Sequence, residues 1–184
     1  MNCINNNNYQ ITGDASLVVL NHSKKPTLYV DGGCKGIPGP AGWGIVIVNE
    51  DGKALLEAYG VIGSASKKVR RSNWALAAQI KAAIIGLNQT KEGSEIEIVS
   101  VNYHLLKGLS EWRFIWERRG FKNSIGYIVN NNEQWMHLYA LADLRKVTLR
   151  WVRGDAFNHH NERCDVLGSQ AIALLLNEVV DKSI

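Results

Sequence analysis

The spacing of apolar positions changes along the chain, and the changes mark its elements. From Thr27, TLYVDGG is a short apolar run that ends in an aspartate and a glycine turn, which predicts a strand. AGWGIVIVNEDGKALLEAYGVIG follows as two strands joined by NEDG, where Asp51-Gly52 supplies the positive backbone angles of a tight hairpin. SNWALAAQIKAAIIGL places Leu76, Ile80, Ala83, Ile84 and Leu87 at helical spacing behind a capping residue at Ser72 or Asn73. In EIEIVSV the isoleucines alternate with glutamates before the run becomes wholly apolar, predicting a strand whose buried end is Val101. A helical stretch carrying Leu105, Leu109, Trp112 and Trp116 comes next, then a helix over NEQWMHLYALADL, a strand over VTLRWV and a closing helix over NERCDVLGSQAIALLLNEVV. Three antiparallel strands therefore open an α/β domain, a mixed sheet with helices on its faces.

Composition narrows the class. With 184 residues, 46% hydrophobic content and 3 prolines, the chain can bury one sizeable core. A single domain is expected over 27–184. Residues 1–26 begin MNCINNNNYQITGDAS, with no basic start and no long apolar run, and read as a disordered or loosely packed extension rather than a signal sequence. No apolar stretch is long enough for a membrane helix. Cys3, Cys34 and Cys164 are odd in number and far apart, which argues against a disulfide framework or a zinc site and fits a reducing cytoplasm. The net charge of +4 permits an anionic partner. Basic residues gather at Lys67, Lys68, Arg70 and Arg71, at Arg118, Arg119 and Lys122, and at Arg150 and Arg153. Taken singly, such clusters are ordinary solvated surface.

Three motifs coincide in order. DGGCKGIPGPAGWG (Asp31 to Gly44) crowds glycines and prolines into a turn behind a strand-end carboxylate; WERRGFK follows two tryptophans; NERCD opens the last helix. Together they resemble the ribonuclease H family, type I, over about residues 27 to 180. The resemblance implies a ribonuclease H-like fold, with a mixed five-stranded sheet of three antiparallel strands and then two parallel ones. It also implies two-metal hydrolysis of the RNA strand of an RNA·DNA hybrid, with four carboxylates holding two Mg²⁺ and a loop histidine assisting.

Carried onto this chain residue by residue, that resemblance is incomplete. The first acid falls on Asp31 and the fourth on Asp165, both present. The second falls on Gln79 and the third on Val101; a different placement of the helix puts the second on Ala75, which is no acid either. The loop histidine falls on Asp155, with His159 and His160 nearby. Gln79 can offer an oxygen but no charge, and Val101 offers neither. Asp31 and Asp165 balance one divalent cation, so at most a single weak Mg or Mn site is expected, with Asp155 or Glu162 as helpers. A carboxylate at a buried strand end without metal is costly, and valine packs there instead.

Trp112, Trp116, Arg118, Arg119, Phe121 and Lys122 resemble the family's basic protrusion, which grips the DNA strand, although tryptophans four apart on a helix are equally at home in a core. Lys67, Lys68, Arg70 and Arg71 can add nonspecific affinity. Against hybrid binding, the minor-groove contact positions hold Ile37 and Tyr103. Three functions follow: an impaired hydrolase that binds RNA·DNA hybrid or other nucleic acid, a protein-interaction module on the same fold, or an active endonuclease with a rearranged site.

Overall fold

A computed structural model describes residues 3–5, 9–13, 25–36, 39–62, 74–154 and 158–181. The elements run β1 (Cys3–Asn5), β2 (Tyr9–Gly13), β3 (Thr27–Cys34), β4 (Ala41–Val48), β5 (Ala54–Ile62), α1 (Trp74–Asn88) and β6 (Glu95–Ser100). Then come α2 (Tyr103–Lys107), a π-helical turn (Gly108–Trp112), α3 (Arg113–Arg118), α4 (Asn132–Asp143), β7 (Lys146–Trp151) and α5 (His159–Asp181).

The strands form one sheet in the order β1-β2-β5-β4-β3-β6-β7. Pairings from β1 to β3 are antiparallel, and β3/β6 and β6/β7 are parallel. The expected mixed α/β sheet is present and is wider than five strands. The lead-in read as disordered or loosely packed contributes two further strands at residues 3–5 and 9–13: Tyr9–Gly13 pairs along β5, Tyr9 and Ile11 pack onto the core, and the Tyr9 ring lies 5.8 Å from that of Trp43. Its alternation Tyr-Gln-Ile-Thr is what seals the outer edge of β5.

Side chains on a strand alternate between faces. Leu28, Val30, Ile45 and Ile47 accordingly join the larger core, which includes residues of α1 and α4, whereas Tyr29, Val46, Val48 and Val99 meet Cys164, Leu167 and Ala171 of α5. Every residue of β4 is buried, as its nearly unbroken apolar run requires. Gly42 and Gly44 let α5 sit directly on that strand: a side chain at either would overlap the carbonyl oxygen of Gly168 or of Cys164. The hairpin at Asp51-Gly52 closes as expected, with Gly52 at φ +77° and its N–H on Asn49 O at 3.0 Å.

Between β6 and α4 the chain is helical from Tyr103 to Arg118, interrupted by the π turn. Tyr139 O–H donates to Gly108 O at 2.8 Å, and Gly108 lies against the Trp135 ring, so α4 pins this segment at that turn.

Candidate functional site

Asp31 lies on β3, on the face that α5 covers. The β3/β6 register pairs Tyr29 with Val99, and continuing it two places sets Val101 level with Asp31. Gln79 arrives from α1, which seats closely because Gly32 has no side chain; a Cβ there would stand 3.0 Å from Ala78 Cβ and 3.1 Å from Gln79 Cγ. Asn161 and Asp165 arrive from α5, one turn apart. The sheet and two helices thus bring Gln79 into contact with Asp31, with Val101 level with Asp31 and Asp165 near enough to act on its carboxyl.

Asp31 is held by N–H donors. Its Oδ1 accepts from Gly32 N at 2.7 Å and from Gln79 Nε2 at 3.2 Å, and its Oδ2 accepts from Asn161 Nδ2 at 3.4 Å. Gln79 Nε2 also donates to Gly32 O at 2.9 Å. A carboxylate and a carbonyl are both acceptors, so the NH₂ end of Gln79 must face them. That orientation leaves Gln79 Oε1 buried without a hydrogen-bond partner, and Asn161 Oδ1 is in the same condition. Burial, with the charge of Asp165 adding to it, raises the Asp31 carboxyl to about 6 against the lowering effect of the Gly32 N–H and the Asn161 amide.

Asp165 is exposed. It borders a cleft of about 290 Å³ with Gly33, Cys34, Lys35, Ser169 and Ile172. Val101 corrects an expectation: β6 ends at Ser100, and Val101 lies just beyond, half-buried rather than buried. The reason is local, since Ser100 Oγ accepts from Asn102 N at 3.0 Å and Asn102 Oδ1 caps α2 through His104 N and Leu105 N. The Val101 carbonyl accepts the indole N–H of Trp151 at 3.1 Å. Glu162 is exposed and pairs with His159 Nδ1 at 3.7 Å. Asp155, Ile37, Lys67, Lys68, Arg70 and Arg71 lie outside the described residues.

The donor set does not fit two divalent ions. Such a pair needs charged oxygens on both, whereas the amide at Gln79 turns its hydrogens toward Asp31 and the valine supplies nothing. Among the described residues, no three His, Cys, Asp or Glu side chains are grouped to hold a metal. Asn161 is the residue that motif reading missed; it precedes Asp165 by one helical turn, and that spacing was its signal.

The protrusion is built in two tiers. Trp112 and Trp116 are half-buried and continue a ring contact chain, at 5.6 Å from each other and 5.5 Å from Trp116 to buried Trp135, so they root the helix in the core. Arg118, Arg119 and Lys122 are exposed. Tyr103 is also exposed, with Lys107 Nζ 4.9 Å from its ring centre. No described helix is long and apolar enough to cross a membrane.

The RNase H family model matches residues 23–173. A ribonuclease H of Pseudomonas fluorescens is 33% identical over 145 residues, covering 79% of this chain and 90% of the relative. Among solved structures, LC9-RNase H1, described as a type 1 RNase H with the type 2 active-site motif, superposes with a TM-score of 0.67 at 18% identity, over 82% of this chain and 72% of that one. The foamy viral protease-reverse transcriptase in complex with RNA/DNA hybrid gives 0.67 at 17% identity, over 80% of this chain and 20% of that one. On the family match and the curated relatives, the chain belongs to the ribonuclease H family.

Proposed function

We propose that this protein binds RNA·DNA hybrid or a related duplex while its hydrolysis of the RNA strand is lost or very weak. The observation that carries the reading is the hydrogen bond from Gln79 Nε2 to Asp31. Where the family's pattern has a second carboxylate to share a metal with the first, this chain has a donor that satisfies Asp31 directly. With Val101 level with Asp31, the negative charge at the site among the described residues is that of Asp31 and Asp165, enough to balance one divalent cation, Mg or Mn, held weakly. The shape of the family is kept and the charge that drives its chemistry is halved.

Binding is supported by the exposed cations Arg118, Arg119 and Lys122 on the protrusion, and by a solved structural neighbour that is in complex with RNA/DNA hybrid. Each phosphate these side chains neutralise adds about 0.9 to the slope of log affinity against log salt.

The test is a titration of the protein into end-labelled hybrid, with Mg²⁺ or with EDTA, at two salt concentrations, followed by a denaturing gel. The expected result is a complex that forms in both, weakens steeply with salt and leaves the RNA intact. Mg²⁺-dependent cleavage that Asp31→Asn abolishes would overturn the impairment, and absence of any complex at low salt would overturn the binding.

A further inference from the structure

The protrusion carries a second feature that basic side chains do not explain. After α3 the chain makes a closed hairpin over residues 121–129: Phe121 N–H donates to Trp116 O and Val129 N–H to Phe121 O, both at 2.8 Å, and Lys122 bridges Ile128. Its base is anchored, since Phe121 and Val129 pack against the main core. Its tip is stiffened by Asn123, whose Oδ1 accepts from Ile125 N at 3.1 Å and from Tyr127 N at 3.0 Å, while Asn123 N–H donates to Tyr127 O at 2.8 Å. Gly126 turns the tip at φ +87°.

This braced tip is apolar and solvated. Ile125 is 74% exposed and Tyr127 70%, the two highest values for large apolar side chains among the described residues. Arg118, Arg119 and Lys122 flank it and make no ion pair among the described residues, whereas the neighbouring Arg113 is paired with Asp143 and Glu117. An exposed apolar tip braced by hydrogen bonds, with cations at its base, suits a partner whose flat apolar faces lie between closely spaced anions. Stacked bases between phosphates are such a partner.

We infer that the hairpin at residues 123–127 is a wedge for nucleic acid: Tyr127 and Ile125 enter a base step of the bound duplex, with Tyr127 stacked on an unstacked base and Arg118, Arg119 and Lys122 on the adjoining phosphates. The inference rests on the nucleic-acid-binding reading above and adds a base-contacting site to it.

The experiment places 2-aminopurine at successive positions of the DNA strand of a hybrid and follows its fluorescence as the full-length protein is added in EDTA. Fluorescence is expected to rise at one or two adjacent positions. Ile125→Ser with Tyr127→Ser should abolish that rise and weaken binding by about 5- to 160-fold, the span for loss of one stacked base. Tyr127→Phe, which keeps the ring, should retain it. Circular dichroism melts of each variant separate loss of the wedge from loss of the fold. Salt-dependent binding with no fluorescence change at any position overturns the wedge and leaves the binding reading standing; no binding at all overturns both. If the tip variants instead lose flotation with phosphatidylserine vesicles while hybrid binding is untouched, the tip serves a lipid surface and the wedge is overturned.

Discussion

Replacing Asp31 by asparagine is expected to stabilise this protein at pH 8 and to change it little at pH 4. Burial is the main cause that lifts the carboxyl from 3.8 to about 6 in the folded state. Each pKa unit corresponds to about 1.4 kcal/mol, so the folded protein bears about 3 kcal/mol for keeping Asp31 ionised. For an acid whose folded pKa is raised, the stability contributed by its proton is present in full below the unfolded value. It is lost as pH rises toward about 6, and above that the full cost remains. An amide at this position does not titrate, so the difference between variant and parent should grow across that window. It also brings an NH₂ group to a site where Gln79 Oε1 and Asn161 Oδ1 are buried acceptors without donors, and satisfying one is worth about 1 kcal/mol. Against this, the short bond from Gly32 N at 2.7 Å loses its charge assistance. The net gain is about 2–3 kcal/mol at pH 8, a rise in Tm of about 4–12 °C for a chain of this size. Circular dichroism melts in EDTA at one-unit steps between those limits measure it. A Tm difference independent of pH, or a variant that melts below the parent at pH 8, would refute the reasoning.

Gln79→Glu combined with Val101→Asp should lower Tm in EDTA at neutral pH, because uncompensated carboxylates are brought together. Mg²⁺ should then restore it by about 2.7 kcal/mol at one hundred times its Kd, a gain that the parent, with one weak site at most, should not match at the same Mg²⁺ concentration. Gly42→Ala is expected to cost about 1–3 kcal/mol in urea unfolding, since its Cβ would overlap Gly168 O and force α5 off the sheet. Gly33→Ala, whose Cβ would meet nothing within 4 Å, is its control. Arg113→Ala removes a bidentate pair with Asp143 at 2.7 and 2.5 Å, a bond to Glu117 at 2.8 Å and the cover over the Tyr139 ring. It should cost about 1–2 kcal/mol in the same assay, above the value for an isolated surface pair.

The elements that could be read in the sequence are those whose evidence is local. β4 is a continuous apolar run, its hairpin with β5 is signed by Asp51-Gly52, and α1 repeats its apolar positions at helical spacing; each of these needs only a short window. β1 and β2 need more. Tyr-Gln-Ile-Thr is four residues of alternation behind an asparagine run, and it becomes a strand because β5 presents an unpaired edge, which no window around residue 10 contains. The π turn is hidden for a similar reason: Leu105, Leu109, Trp112 and Trp116 have ordinary helical spacing, and the extra residue per turn reflects the close seat of Gly108 on Trp135. The positions of Asp31, Gln79 and Asp165 came from motif order. The orientation of the Gln79 amide did not, because it depends on two acceptors brought from another strand.

Gln79 and Val101 differ in what they bring to the site. Glutamine has the shape of glutamate, so the seat of α1 over Gly32 is compatible with either side chain, and what changes is the sign of the contact with Asp31. Two carboxylates at that separation repel unless a cation lies between them, whereas an amide hydrogen and a carboxylate attract. Val101 offers neither charge nor donor at the level of Asp31, and its carbonyl is engaged by the Trp151 indole. Asp31 is held by two side-chain amides and a backbone N–H. A cluster of acids requires metal for its electrostatic balance, and this arrangement balances by hydrogen bonds instead. It follows that chelators should change the stability of the fold little, and that carboxylates placed at the positions of Gln79 and Val101 should bring with them a dependence on metal for stability.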